Sequence, residues 1–265
     1  ADAGAMDADA DGTVAIGWNA GNALTSGPGT TAIGFESCKT LTAKGYATAI
    51  GYKSLQLCAG DHNIAIGYLA GQGAGAGTFE TGIYIGNNAG KSLTTGDSNV
   101  LIGHNAGTAL TTEGTNTVVG ASAMTTTIAG SYDNTFVGFD AGGGTWANNP
   151  SIRNTGIGRG CMNGPMDAGN DNTAVGHGAL DLLTEGNDNA CFGSNSGNSI
   201  TTGGTNTMIG VGTDCAATAD NQIAIGNGAV TDGSNKGRWG NSSLTGGNNI
   251  QTDWTVDSDR RIKDD

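Results

Sequence analysis

A short apolar motif recurs along most of this chain. Between Gly17 and Gly226 it appears thirteen times, each copy ending in Ile-Gly or an equivalent pair, and the repeat glycines are 16 to 20 residues apart, most often 17. A small side chain stands three residues after every one of these glycines, from Ala20 to Ala229. Periods of this length are typical of stacked structural units, each of which contacts mainly its neighbours. The spacing therefore predicts a rod of thirteen stacked rungs.

The residue immediately before each repeat glycine is always apolar. An apolar column that no polar residue interrupts indicates burial, so we expect these residues to form the structural core. We call them the pre-glycine column, which consists of Ile16, Ile33, Ile50, Ile66, Ile85, Ile102, Val119, Val137, Ile157, Val175, Phe192, Ile209 and Ile225. Eight rungs also carry an asparagine four residues before the glycine, from Asn63 to Asn206. Its amide is expected to bond a turn backbone or to stack as a ladder.

The residue that precedes the pre-glycine column is uncharged as well. This middle column contains Ala15, Ala32, Ala49, Ala65, Tyr84, Leu101, Val118, Phe136, Gly156, Ala174, Cys191, Met208 and Ala224. Since successive side chains of a strand point to opposite faces, both faces of every strand avoid charge. A strand that is apolar on both faces is normally covered on both, whereas a slim single-chain coil encloses only one. We therefore expect the other face to meet a neighbouring subunit in a rotationally symmetric assembly.

The predicted fold class is all-β, a stacked-rung parallel β-roll or β-helix. Six rungs carry a second large apolar residue seven after the glycine, from Leu24 to Ile200, and a glycine turn comes next, so each rung is expected to contain two short strands and two turns. The chain has 49 glycines in 265 residues, but its regular isoleucine column argues against disorder. No apolar stretch approaches the ~18 residues of a membrane span, so membrane insertion is not expected.

Charge and reactive residues narrow the possible functions. The net charge is −13, and no lysine or arginine occurs from residue 160 to residue 235, so no nucleic-acid partner is expected. Only three histidines and no hydrolase motif are present, so no catalytic residue and no cofactor are predicted. Asp167 and Asp171 are conceivable calcium ligands, but they lack EF-hand spacing and no metal site is predicted. The five cysteines form no C-x-x-C pair and are expected to be buried thiols, as suits assembly in a reducing cytoplasm.

Two groups of residues are candidate contact sites. The rung spacing stretches before Gly86 and before Gly158, and insertions in repeat proteins project as surface loops. The second extension carries Trp146 and Arg153, two residue types that are enriched in binding hot spots, so we predict that they contact a bacterial surface glycan or protein.

The residue directly after the repeat glycine is often aromatic. This post-glycine column is either a strip for sugar rings or, as we favour, a stack between rungs or subunits, and it includes Trp18, Phe35, Tyr52, Tyr68, His104, Phe139, Arg159 and His177.

The rung pattern Asn-x-Ala-Ile-Gly-x-x-Ala-x-x-x-Leu-x-x-Gly resembles the head repeats of trimeric autotransporter adhesins. Similar repeats occur in bacteriophage tail fibres. The resemblance covers about residues 13 to 230, although the spacing here is longer than in the adhesin heads and varies. It implies that the coil is left-handed and that three copies of the chain are intertwined or packed together as a homotrimer.

The residues from Trp254 to Asp265 resemble the entry to the intramolecular chaperone domain of phage tail fibres and tailspikes, which opens with Ser-Asp-x-Arg-x-Lys. In that family the chaperone drives trimer assembly and is often released by self-cleavage at the serine. The resemblance implies a self-cleavage junction at Ser258 and Asp259, with the scissile bond after Ser258. Self-cleavage would need the rest of the chaperone domain, which the sequence does not contain.

These features divide the chain into an acidic lead-in (1–12), a shaft (13–230), a tapering neck (231–257) and the start of a chaperone domain (258–265). The expected protein is a non-enzymatic, trimeric phage tail-fibre shaft, a virion component that serves host attachment and contacts other virion tail proteins. Two alternatives stay open. One is a trimeric adhesin at a bacterial cell surface, and the other is a segment of a glycan-depolymerising tailspike.

Overall fold

The computed structural model describes residues 12–241, apart from residues 27, 44, 76 and 128. Within these residues the chain is all-β and contains no helix. Every strand is three residues long and ends at the residue before a glycine. The strands are β1 (Val14–Ile16), β2 (Thr31–Ile33), β3 (Thr48–Ile50), β4 (Ile64–Ile66), β5 (Ile83–Ile85), β6 (Val100–Ile102), β7 (Thr117–Val119), β8 (Thr135–Val137), β9 (Thr155–Ile157), β10 (Thr173–Val175), β11 (Ala190–Phe192), β12 (Thr207–Ile209), β13 (Ile223–Ile225) and β14 (Gly237–Trp239).

The strands form one parallel sheet in sequence order, so the chain is a β-solenoid of about thirteen turns, as the repeat predicted. Equivalent residues of successive rungs pair directly, for example Ile16 with Ile33. Strand β14 pairs with β13 through Ile225 and Trp239. It lies in the segment where we expected a tapering neck, so the regular sheet continues past residue 230.

The repeat glycines are required by the way the rungs stack. Their φ angles lie between +117° at Gly226 and +149° at Gly120, a region that other residues rarely adopt. A Cβ atom at Gly17 would lie only 2.6 Å from the carbonyl oxygen of Gly34 in the next rung. Both the backbone conformation and the close approach of the next rung therefore select glycine.

The buried asparagines form the expected ladder and also bond the turns. In a typical rung the Nδ2 of Asn172 donates to Asn154 Oδ1 at 3.0 Å and to the Gly186 carbonyl oxygen at 2.8 Å. The Oδ1 of Asn172 in turn accepts from the backbone N and the Nδ2 of Asn189, at 3.0 and 2.9 Å. Each amide thus satisfies buried polar groups of the rungs on either side, which fixes the corner that leads into each strand.

The core of the single coil differs from our expectation. The middle column points inward and is buried from Ala32 to Ala224, whereas the pre-glycine column points outward and is only partly covered, with Ile16 59% exposed. The inside of the coil is also filled by the small residues three after each glycine, such as Ala20, and by leucines such as Leu24. Because these side chains leave little room beside the strand, most rungs fit only a small middle residue. The larger isoleucines therefore lie on the outside, and their assignment to the core of the single chain was wrong.

The part of each rung opposite the strand consists of turns. The second apolar residue of the rung, such as Leu24, is buried as expected. It does not lie in a second strand. Outside the strands the described residues form only two isolated β-bridges, Cys58 with Gly77 and Asp214 with Val230. Turns of successive rungs hydrogen-bond each other, as between the N–H of Gly21 and the carbonyl oxygen of Ser37 at 2.9 Å. The backbone is thus paired around the whole rung without a second sheet.

Candidate functional site

The largest unusual surface is the outer side of the sheet. We define the outward face as the first and third residues of strands β1–β13, which include the whole pre-glycine column. It carries no aspartate, glutamate, lysine or arginine. Eight of its large apolar side chains are at least 38% exposed in the single chain, namely Val14, Ile16, Ile64, Ile66, Ile157, Phe192, Ile209 and Ile223. The remaining positions are mainly threonine, isoleucine and valine of intermediate burial.

The outward face is long. Twelve steps between the thirteen strands β1–β13, at about 4.8 Å each, give a length of about 58 Å. Three residues at about 3.3 Å each give a width of about 10 Å, and hence a footprint of about 600 Å². This footprint includes seven threonines. The largest apolar patch of a typical monomer covers about 300–600 Å² and is often functional.

Four members of the post-glycine column, Trp18, Phe35, Tyr52 and Tyr68, stack between rungs, the arrangement that we favoured. The ring centroids of Trp18 and Phe35 are 4.9 Å apart, and those of Phe35 and Tyr52, and of Tyr52 and Tyr68, are 5.2 Å apart. The rings are nearly parallel, with interplanar angles of 9° to 19°. The stack ends at the next rung, where Asn87 comes directly after the glycine. Stacking of partly exposed rings stabilises neighbouring rungs.

The predicted contact role of Trp146 is contradicted by its burial. Trp146 is only 3% exposed, its Nε1 donates to the Gly142 carbonyl oxygen at 3.0 Å, and its ring meets Phe136 edge-on with centroids 6.0 Å apart. The extended rung before Gly86 is packed in the same way. Its Phe79 is buried and meets the Tyr84 ring edge-on, with ring centroids 5.5 Å apart. Extra residues in a rung enlarge its interior, and an aromatic ring fills that space. In each extension an aromatic side chain is therefore packed into the coil, whereas neighbouring residues such as Asn148 and Asn149 are exposed.

Arg153, the second predicted contact residue, lies on the surface. Its Nε donates to Asp171 Oδ1 at 2.6 Å and its second guanidinium nitrogen donates to Asp171 Oδ2 at 2.7 Å, a bidentate pair. The guanidinium lowers the pKa of the Asp171 carboxyl group, and Asn149 similarly lowers that of Asp167 by hydrogen bonding. Asp171 and Asp167 thus already have protein partners. Arg153 and Trp146 are not brought together as one site.

The junction residues Ser258 and Asp259 lie outside the described residues, so self-cleavage between them stays a prediction.

The five cysteines lie within the described residues, are all buried, and are not joined by disulfides. Burial raises the pKa of the Cys161 and Cys215 thiols to about 12. Within residues 12–241, leaving aside the four single gaps, no three His, Cys, Asp or Glu side chains cluster as metal ligands, and no helix could cross a membrane.

A cleft of about 190 Å³ is lined in part by Phe139, Arg159 and His177 of the post-glycine column, although no cleft was predicted there from the sequence. It arises in the column two residues after the repeat glycine, where φ stays between +53° and +64° in every rung from Asn19 to Gly228. Most rungs carry a side chain there, but the adjacent rungs of β9 and β10 carry Gly160 and Gly178. Two missing side chains leave a gap bounded by Asp140 on one side and Asn195 on the other. Consecutive glycines in this column also occur at Gly212 and Gly228, which do not line the cleft, so this sequence pattern alone could not locate it.

The chain was also compared with known proteins. No protein-family model matches it, and no curated protein is significantly similar to it.

Proposed function

We propose that the chain is the shaft of a trimeric phage tail fibre, which serves host attachment by positioning or bearing a receptor-binding surface. The observation that carries the proposal is the outward face, a strip mainly of isoleucine, valine and threonine without charge that runs along strands β1–β13. Parallel sheets are normally covered on both faces, and the coil covers only its inner one. A second and third copy of the chain would cover the outer face identically at every rung.

The size of the outward face suits such an assembly. Its footprint of about 600 Å² approaches the ~800 Å² per partner of a stable protein interface. Apolar residues without charge are also the composition found at the centre of subunit interfaces. The number three comes from the resemblance of the rung to the trimeric adhesin and tail-fibre repeats. Charge on the rest of the surface, net −13 for the chain, favours solubility of the assembled rod.

Light scattering on the purified chain tests the proposal. A stable mass of three times 26.2 kDa is expected. A folded monomer would mean that the outward face is solvated, and the fibre and adhesin proposals would both lose their physical basis. Attachment itself is tested by incubating the labelled trimer with a panel of bacteria. We expect selective retention on some strains and none on the others.

The trimeric adhesin remains the alternative with the same fold and assembly. The two proposals differ in the segment that the complete gene encodes after the shaft. A fibre predicts that the complete product is cut after Ser258, which mass spectrometry of the expressed protein would reveal as a shaft ending at that residue. An adhesin predicts an uncut product with a carboxy-terminal membrane anchor.

A further inference from the structure

We propose that the cleft over Gly160 and Gly178 binds a single neutral sugar ring, a hexopyranose or its N-acetylated form. The inference deepens the proposed attachment function by naming a ligand class and a site, and it rests on that function. Its three supports are the shape of the cleft, an unsatisfied acceptor on one of its lining side chains, and the mixed charge of its lining.

The shape of the cleft results from the rung geometry. Asp140 and Asn195 are three rungs apart, which corresponds to about 14 Å along the shaft. A Cβ atom at Gly160 would have no neighbour within 4 Å, so the floor is open there. At Gly178 the Oδ1 of Asn195 would lie 2.6 Å from such an atom, so Asn195 partly covers this end. The volume of about 190 Å³ is below the ~300 Å³ at which pockets for drug-sized ligands begin, and it suits one ring.

One side chain that lines the cleft has an unsatisfied polar atom. Asn163 lines the cleft, and its Nδ2 donates to Asp140 Oδ2 at 3.3 Å. The Oδ1 of the same amide is buried without a hydrogen bond. A buried acceptor without a donor costs about 1–3 kcal/mol, so a rotation of this amide that let Oδ1 accept from a ligand hydroxyl group would be favourable.

The walls offer both donors and acceptors with little net charge. Among the lining residues, Asp140 and Asp181 supply carboxylates, while Arg159 and His177 supply donors. The Arg159 guanidinium lies 5.6 Å from the centroid of the Phe139 ring, which orients it. Burial raises the pKa of the Asp181 carboxyl group, the charge of Asp140 raises it further, and His177 opposes both. A phosphate would meet two carboxylates, and a polycation would meet the arginine, whereas the hydroxyl groups of a neutral sugar both donate and accept.

Filling the cleft provides the main test. In the variant Gly160→Asn the new side chain occupies the gap, and the backbone tolerates it because Asn19, Asn88, Asn105 and Asn195 occupy the equivalent position with φ of +53° to +57°. The matched control is Gly212→Asn, at the same position of another rung, where a Cβ atom also has open space and lies outside the cleft. Equal unfolding midpoints of the two variants establish that both are folded.

Binding is measured by saturation-transfer NMR with glucose, galactose, mannose and N-acetylglucosamine as probes. We expect at least one probe to receive saturation from the unmodified chain and from Gly212→Asn, and its affinity to fall at least tenfold in Gly160→Asn. The variant Asp181→Asn keeps the shape and removes a charge, and should also weaken binding. No transfer to any of the four sugars, or equal transfer in Gly160→Asn, would overturn the proposal.

The outcome is independent of the proposed assembly. A chain of trimeric mass that binds none of the sugars contradicts the cleft proposal alone. A monomeric chain that binds a sugar, and loses it in Gly160→Asn, contradicts the trimeric shaft alone.

Discussion

Placing a charge on the outward face should separate the fold of the single coil from its assembly. Ile157 is the third residue of β9, near the middle of the sheet, and its side chain is 41% exposed. In the isolated coil Ile157→Asp puts a carboxylate in water, so the cost is limited to strand propensity, at most about 1 kcal/mol. The rung should therefore still fold.

In a trimer the same change is expensive. Burying a whole isoleucine side chain is worth about 1.5–3 kcal/mol, so the 41% still exposed represents about 0.6–1.2 kcal/mol. A buried charge without a partner adds about 3–5 kcal/mol. Over three copies the total loss is roughly 11–19 kcal/mol, or seven or more powers of ten in the association constant. Assembly should be abolished at any practical concentration.

The assay is light scattering combined with circular dichroism. The unmodified chain should have three times the 26.2 kDa mass, whereas Ile157→Asp should have a single-chain mass and an unchanged β spectrum. The control is Leu182→Asp, because Leu182 is 53% exposed but lies in a turn, and this variant should stay trimeric. If Ile157→Asp kept the trimeric mass, the outward face would not be the interface and the reasoning would fail.

Three further predictions concern the coil itself. Trp146→Ala should lower the free energy of unfolding by about 3–5 kcal/mol in urea titrations, whereas Arg153→Ala should leave it almost unchanged; similar losses would contradict the packing described for Trp146. Asn172→Ala leaves buried groups of two neighbouring rungs unpaired, at about 1–3 kcal/mol each, so a thermal midpoint equal to that of the unmodified chain would refute the ladder. The raised pKa of Cys161 and Cys215, from 9.0 to about 12, predicts that stability falls as pH rises from about 9 to 12, because the unfolded chain loses the thiol protons first. Urea titrations across that window should reveal the decline, and a flat profile would argue against burial of the thiols.

The sequence was sufficient for the fold because each prediction depended on local spacing. A period close to 17 residues, a glycine in every rung and an asparagine four residues earlier in eight rungs together specify stacked parallel rungs, whatever fills the interior. The same period extends only loosely past Gly226, so strand β14 was missed. Its residues Gly237 and Trp239 pair with β13 without the Ile-Gly signature. Hydrogen bonding to the previous rung, rather than side-chain pattern, places this last strand.

The sequence could not tell which face of the strand lies inside. Successive side chains of a strand point to opposite faces, but here both faces are apolar. Which face points into the coil therefore depends on the space that the turns leave beside the strand. The extended rung was misread for a related reason. Trp146 in a glycine-rich stretch looks like a surface loop, but the added residues widen the coil and the ring fills it. Interior volume is a property of the whole rung and does not appear in any short segment.

The middle column and the pre-glycine column differ in how much their residues vary in size, and this difference favours the middle column, rather than the pre-glycine column, as the inner one. An inner residue must fit the space its own rung leaves, so the middle column ranges from Gly156 to Tyr84. Large and small residues alternate between neighbours where needed, since a Cβ atom at Gly156 would lie 2.7 Å from the Phe136 ring. The pre-glycine column is instead isoleucine or valine in every rung except at Phe192. The column is freed from the packing inside its own rung, but each member pairs with its equivalent in the next rung, as Ile16 does with Ile33, and β-branched residues suit such strands. A partner with the same repeat along the same axis would impose the same constancy, which is what the Ile157→Asp variant tests.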